Sequence, residues 1–310
     1  MENNYVVVMA GGIGSRFWPM SKASFPKQFH DVLGVGKSLL QLTIERFKNI
    51  CPQKNIYIVT NKAYLELVKK QLPFLEESQI LLEPFRKNTA PCVAYASYKI
   101  KSINENAKLI IVPSDHIILN QIEFENTLQI ALTEANNKQL ITLGIQPSRP
   151  DTGYGYIQFE DLEGDKPKTL KKVKTFTEKP PLDLALKFLE SGEFCWNSGM
   201  FIWSVDSIID AYEKHMPDLH KVFYAALPIF NTSKEASFIN NIYPVCKNIS
   251  IDNAIMEKAA NVLVVLANFG WSDLGTWGSL YENLDKDESN NALLGDKIML
   301  YNSSNNIIKI

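Results

Sequence analysis

What this sequence lacks narrows its class before any motif is read. Cysteine is scarce: Cys51, Cys92, Cys195 and Cys246 are the four in 310 residues, far apart and without a C-x-x-C pair. That argues against a disulfide framework or a zinc site and leaves reduced, mostly buried thiols as the expectation. An excess of one charge is missing too. Lys and Arg number 32 against 34 Asp and Glu, a formal net charge of −2, which leaves no electrostatic footprint for nucleic acid or an anionic membrane. A site that handles phosphates must therefore concentrate positive charge locally. Long apolar runs are absent. The longest late run, Val262 to Ala267, is six residues, far short of the roughly 20 that a bilayer-spanning helix needs. The N-terminal stretch MENNYVVVMAGG has no basic n-region and no long apolar core. It reads as a strand rather than a signal peptide, so a cytoplasmic location is expected. Internal repeats and low-complexity tracts are absent as well.

What is present is a chain 45% hydrophobic, able to bury a sizeable core in one large domain or two smaller ones. Short apolar runs at Tyr5–Ala10, Ile56–Val59, Ile80–Leu82, Leu109–Val112 and Leu140–Leu143 are near-continuous in Val, Ile and Leu, as strands buried on both faces of a parallel sheet are. Between them, Ser38 and Gln41 read as a capping box opening a helix to about Ile50. Pro91 suits the first turn of a helix running to about Ile103, with Thr89 or Ala90 just before it. The rhythm predicts an open α/β sheet with helices on both sides. From Gly153 the pattern changes. Tyr154–Phe159 and Leu170–Phe176 are predicted antiparallel strands around a charged turn, Asp161–Lys168. Phe201–Ser204 and Val262–Ala267 are further strands, and Leu182–Glu190, Val205–Tyr212 and Ile251–Ala260 are predicted helices. A linker-like stretch, Asp285–Asn291, precedes two short predicted strands, Lys297–Tyr301 and Ile307–Ile310. The expected division is residues 1–284 as the main domain and 285–310 as the start of a small β module, cut short at the last residue.

The first strand runs into Gly11-Gly12-Ile13-Gly14-Ser15-Arg16. Glycines after a strand let backbone N–H groups approach a polyphosphate that side chains would block. A dinucleotide fingerprint fails, because Phe17 stands where its last glycine belongs, and a P-loop ending at Gly36-Lys37-Ser38 fails, because Asp31 replaces its first glycine. Gly36–Ser38 is read instead as a loop and helix cap. Arg16 follows the glycines and Lys27 comes eleven residues later. Two cations thus flank the loop, as phosphoryl or nucleotidyl transfer requires. On spacing alone, a tight turn with two solvated basic residues stays open. Asp115 directly follows the strand at Leu109–Val112, at the sheet edge where open α/β folds bind ligands.

The segments Ala10-Gly11-Gly12-Ile13-Gly14-Ser15-Arg16-Phe17-Trp18-Pro19-Met20-Ser21 and Pro26-Lys27-Gln28-Phe29 resemble the signature of the sugar-nucleotide pyrophosphorylases, and in detail their mannose-1-phosphate guanylyltransferase branch. Further matches follow in order: Glu83–Pro91, Val112–His116, Thr152–Ile157, Phe176–Pro180, Asn197–Phe201, Ser250–Asp252 with Met256–Lys258, and Trp271–Trp277. The resemblance covers nearly everything up to about residue 284. Lys87 stands between Arg86 and Asn88 where the family often has Arg next to Asn, which leaves the role of Arg86 open.

The resemblance implies a Rossmann-like mixed sheet of the nucleotidyltransferase, glycosyltransferase-A-like type, with a left-handed β-helix-like piece at the C-terminus. It implies GTP and mannose-1-phosphate as partners, with GDP-mannose and pyrophosphate as products. Relatives often form dimers, so a homodimer is expected. By the same resemblance Asp115 and Asp273 hold Mg²⁺, an ion that usually takes one or two carboxylates plus phosphate oxygens. Nucleotide binding is carried over to Ala10, Gly11, Gly12, Gly14, Ser15, Arg16, Glu83, Asn88, Ala90, Pro91, Ser114 and Asp115. Sugar-phosphate binding goes to Gly153, Glu178, Lys179, Asn197 and Asp273. Arg16 would brace the leaving phosphates and Lys27 would contact the phosphates at the reacting centre. His116 is expected to be structural. A phosphate monoester is already anionic at pH 7, so no general base is required. Two rivals stand beside this reading: a glucose-1-phosphate enzyme using UTP or dTTP, and a non-catalytic regulator that binds sugar nucleotide.

Overall fold

The computed structural model describes residues 1–164 and 166–310; Asp165, within the predicted turn Asp161–Lys168, lies outside the described residues. In chain order the strands are β1 (Asn4–Met9), β2 (Ile56–Asn61), β3 (Ile80–Glu83), β4 (Lys108–Pro113), β5 (Ile117–Ile118), β6 (Leu140–Ile145), β7 (Tyr156–Asp161), β8 (Leu170–Thr177), β9 (Phe194–Ser204) and β10 (Val262–Ala267). All but β5 join one mixed sheet in the order β3-β2-β1-β4-β9-β6-β10-β8-β7. The β3-β2-β1-β4 half is parallel. β9 runs antiparallel between β4 and β6, and the β7–β8 pair is antiparallel, as predicted.

The parallel half shows why its strands are continuous apolar runs. Tyr5 and Val7 of β1 pack into one core with Tyr57, Val59, Leu109 and Ile111. Val6 and Val8 pack into the opposite core with Ile56, Ile58, Ile110 and Val112. Alternate side chains point to opposite faces, and both faces are covered. The helix Thr89–Lys101 fills one face and is buried along nearly its whole length. Pro91 lies in its first turn, as expected, and the N-cap is Asn88, which takes φ 65° and whose side chain accepts from Thr89 N. The predicted capping box is present, with Ser38 and Gln41 bonded reciprocally. That helix is shorter than expected. It spans Leu39–Glu45 and gives way to tight turns in which Phe47 N donates to Ile44 O and Ile50 N to Phe47 O.

Other expectations need correction. Ile251–Ala260 is not an α-helix: Asp252–Met256 is a π-helical turn, in which Glu257 N donates five residues back to Asp252 O at 2.9 Å. Lys297–Tyr301 is not a strand. Lys297 takes a positive φ of 60°, and Met299 and Tyr301 are 95% and 88% exposed. β11 (Trp271–Ser272) pairs with β5, while β12 (Ala292–Leu294) and β13 (Ile307–Lys309) pair in parallel. The linker-like stretch before β12 is an ordered turn, closed where the Asp287 carboxylate accepts from Ser289 N and Asn291 N. All four cysteines are free and buried. Among the described residues no helix is long and apolar enough to cross a membrane.

Candidate active site

The glycine loop is shaped by its neighbours. Gly14 takes φ +67°, and a Cβ there would lie 2.5 Å from Lys27 Cβ, so both conformation and close approach demand glycine. Gln28 is buried and donates from Nε2 to Ala10 O (2.9 Å) and Gly12 O (3.0 Å), pinning both ends of the turn. Arg86, whose role the sequence leaves open, donates from Nε to Gly11 O at 3.3 Å and from Nη2 to the Tyr64 hydroxyl at 2.5 Å. It anchors the loop to the helix layer.

A cavity of about 360 Å³ opens against this loop, lined by Gly11, Gly12, Glu83, Asn88, Ser114 and Asp115 among others. Six of the expected nucleotide residues therefore share one hollow. Ala90 and Pro91 are buried in the first turn of the helix behind it, and the Ala10 carbonyl is taken up by Gln28 and Thr60. Ser15 and Arg16 lie exposed on the short turn beyond the glycines. Burial pushes the Glu83 carboxyl up to about 7, against the opposing hydrogen bond from Tyr243 and the charge of Arg86.

The centre of the site is one ammonium group. Lys27 is 3% exposed. Its Nζ lies 2.9 Å from Asp115 Oδ2 and donates to the carbonyls of Asp273 (2.8 Å) and Leu274 (2.9 Å). Asp115 comes from the end of β4, and Asp273 from the loop after β11, so Lys27 joins residues far apart in the chain. Its three N–H groups are thereby committed to protein oxygens. The lysine thus places a fixed positive charge here and tethers the two segments. Burial would raise the Asp115 carboxyl, but Lys27 and His116 outweigh it and hold it below the usual carboxylate range.

Asp273 Oδ1 accepts from Gly275 N at 2.7 Å and from the Tyr154 hydroxyl at 3.2 Å. A Cβ at Gly275 would sit 2.8 Å from Asp273 Oδ2 and 3.0 Å from Arg16 Nη1. The second cation of the loop thus arrives beside the second carboxylate. Arg16, Gly153, Tyr154 and Asp273 line a second cavity of about 200 Å³. His116 accepts from Trp271 Nε1 at 3.1 Å; burial lowers its pKa despite the nearby carboxylates.

A third group lies on the antiparallel half. Asn197 Nδ2 donates to Asp252 Oδ1 at 2.8 Å, and burial raises the Asp252 carboxyl, which Asn197 opposes. Lys179 Nζ pairs with Glu178 Oε1 at 2.7 Å, both side chains more than half exposed. The glycine at this cluster is Gly155, where a Cβ would lie 3.1 Å from Glu178 Oε2 and 3.7 Å from Asn197 Cβ. Gly153 sits instead by Arg16. Gln28, Tyr154, Gly155 and Asp252 received no role from the sequence. The signal for Gly155 was the doubled glycine of Gly153-Tyr154-Gly155. Gln28 and Tyr154 act through hydrogen bonds to residues 16–18 and 119 positions away, which local pattern does not reveal.

A glycine-lined hollow at a sheet edge holding Asp115, joined through the buried Lys27 to a second cavity that carries Arg16 and Asp273, defines a phosphate-transfer site. A family profile described as nucleotidyl transferase matches residues 5–290, and the chain belongs to that family. More particularly, it is 39% identical over 308 residues to a mannose-1-phosphate guanylyltransferase of Salmonella montevideo, covering 96% of this chain and 64% of that protein. The chain thus spans a little under two thirds of that curated relative. Among solved structures it is similar to one named mannose-1-phosphate geranyltransferase from Thermus thermophilus, with TM-score 0.83, 31% identity, and coverage of 95% of this chain and 83% of that one. It is also similar to one named mannose-6-phosphate isomerase from Helicobacter pylori, with TM-score 0.67, 28% identity, and coverage of 87% and 99%.

Proposed function

We propose that this chain is a mannose-1-phosphate guanylyltransferase, converting GTP and α-D-mannose 1-phosphate to GDP-mannose and diphosphate. The observation that carries the reading is the Lys27 ammonium, which joins Asp115 on the nucleotide side to the Asp273 segment on the other. The names of the relatives supply the base and the sugar.

In this reading GTP lies in the hollow at Gly11, Gly12, Glu83, Asn88 and Ser114. A phosphate oxygen of the sugar phosphate attacks the α-phosphorus in line. The new P–O bond forms as the bond to the β-phosphate oxygen breaks, and diphosphate leaves. Arg16 offsets the charge on the departing phosphates. Lys27 contributes its charge at the reacting centre and holds the two acidic segments in place. Glu178, Lys179 and Asn197 bind the sugar phosphate, with Asp252 orienting Asn197. Catalysis is positioning plus charge neutralisation.

The donor set fits a hard divalent cation. Asp115 and Asp273 offer oxygen ligands that leave room for phosphate oxygens and water, as Mg²⁺ prefers. No cluster of three or more His, Cys, Asp or Glu able to cage an ion occurs among the described residues. We infer that these two carboxylates hold Mg²⁺, which when bound would neutralise charge on the phosphate oxygens. We further infer a transferase domain at 1–284 and a β module opening at 285. The parallel β12–β13 pair supports its being left-handed β-helix-like. A cytoplasmic homodimer completes the reading.

The test is a pyrophosphate-release assay of the purified protein with four NTPs against mannose-, glucose- and galactose-1-phosphate, alongside an isomerisation assay on mannose-6-phosphate. GTP with mannose-1-phosphate should be the best pair. No pyrophosphate from any pair, or isomerisation alone, would overturn the assignment.

A further inference from the structure

Tyr243 stands outside every motif used above and 160 residues from Glu83 in sequence, yet its hydroxyl donates to Glu83 Oε1 at 2.5 Å. The tyrosine is fully buried, at the start of the short turn Tyr243–Val245. The other carboxylate oxygen faces the glycine loop: a Cβ built on Gly11 would lie 3.0 Å from Glu83 Oε2. The segment carrying Tyr243 is laced to the rim of the hollow. Lys87 Nζ donates to Pro244 O at 2.7 Å, and Ile249 N to Lys87 O at 3.3 Å. Ala90 N in turn donates to Ile249 O at 3.1 Å, and Ile251 N donates to Thr89 Oγ1 at 2.8 Å. These hydrogen bonds fix the remote turn against the wall that holds Asn88.

We propose that Tyr243 is a positioning residue for base selection: its hydroxyl holds the Glu83 carboxylate as an acceptor turned toward the hollow, where it meets the paired N–H donors of guanine. The inference rests on the GTP reading above. Guanine presents the N1–H and the 2-amino group side by side, both donors. Hypoxanthine presents the N1–H alone. Adenine presents an unprotonated ring nitrogen beside its amino group. An ionised carboxylate only accepts, whereas a protonated one must donate at one oxygen, so only the ionised form complements guanine at both positions. Burial works against ionisation here, and the Tyr243 hydrogen bond and the Arg86 charge oppose it. The Cys92 thiol also faces Glu83. Without the hydroxyl, burial prevails further and the carboxyl keeps its proton at neutral pH. Tyr243 touches neither the phosphates nor the sugar in this scheme. Its loss should act on base binding and leave the chemical step alone.

The experiment compares GTP with ITP in wild type, Tyr243→Phe, Glu83→Gln and the double variant. Loss of a hydrogen bond to a charged group should raise KM for GTP about tenfold in Tyr243→Phe, with kcat within about twofold and KM for ITP little changed. The preference for GTP should begin to return as the pH is raised toward roughly 8, where more of Glu83 ionises while guanine N1 still keeps its proton. Glu83→Gln should lose the preference at every pH, and adding Tyr243→Phe to it should change nothing further. Equal losses with GTP and ITP and no recovery at high pH would show a merely structural tyrosine and overturn the proposal. Multiplying effects in the double variant would overturn it as well. If wild type fails to use GTP at all, the guanylyltransferase reading falls instead, so the two failures are distinguishable.

Discussion

The two halves of the sheet hold their polar groups in different ways. On the parallel side, Lys27 and Glu83 are buried to within 5% exposure, and the side chain of each is already hydrogen-bonded within the protein. On the antiparallel side, Glu178 and Lys179 are 63% and 61% exposed and pair with each other, an arrangement that surface screening makes weak. Lys27 and Glu83 are set in place by folding, and in the proposed reading they serve structure and chemistry together. Glu178 and Lys179 stand open to solution, so in the proposed reading their loss should be felt in substrate binding and not in stability.

The largest effects should fall where the halves meet. Asp115→Asn or Asp273→Asn should lower kcat by about a thousandfold or more with circular dichroism unchanged. Near-full activity in either variant would break the comparison at its centre.

A contrast between the two key lysines sharpens it. Lys27→Met removes the partner of a carboxylate and two carbonyls, so urea denaturation should show a loss of about 3 kcal/mol, together with loss of activity. Lys179→Ala should leave the denaturation midpoint in place and raise KM for mannose-1-phosphate by roughly tenfold. Equal stability losses in the two variants would erase the difference between the halves.

Glu83 offers a test through pH. Its carboxyl is raised from 4.5 to about 7, so the folded protein keeps a proton that the unfolded chain releases. Stability from this source is fully present below about pH 4.5 and is lost as pH rises through 7. Relative to Glu83→Gln, wild type should lose roughly 3 kcal/mol across that window, and a flat difference would contradict the buried-acid assignment.

The smallest effect belongs to Gly155→Ala. The added Cβ would crowd Glu178 Oε2 at 3.1 Å, the movable end of an exposed side chain. KM for the sugar phosphate should rise about threefold with KM for GTP unchanged, since only a flexible group must shift. A larger change in the GTP value would place Gly155 on the wrong side of the site.

How legible these regions are in the sequence follows the same division. The parallel strands announce themselves because both faces are buried, leaving uninterrupted runs such as Val6-Val7-Val8 and Ile110-Ile111-Val112. The glycine loop is legible because its reason is local: Gly14 must take a positive φ beside Lys27. The position of β9 between β4 and β6 is not legible, because nothing local tells an antiparallel central strand from a parallel one. The π-turn at Asp252–Met256 has the apolar content of an ordinary helix, and its distortion shows only in the hydrogen bonds. Lys297–Tyr301 has strand-like composition, but Lys297 takes a positive φ that an extended strand does not. The meeting of Asp115 with Asp273 came from family resemblance, since a separation of 158 positions hides it from any spacing rule. The Tyr243–Glu83 bond lies beyond both kinds of reading.

The most direct test of the meeting of the halves is a double-mutant cycle on the rate of GDP-mannose formation, using Asp115→Asn, Asp273→Asn and the two combined. If both carboxylates serve one reacting centre, the double variant should be about as slow as the slower single one. If instead the two losses multiply as independent factors, Asp115 and Asp273 act at separate places, and the two halves of the sheet do not share a reacting centre.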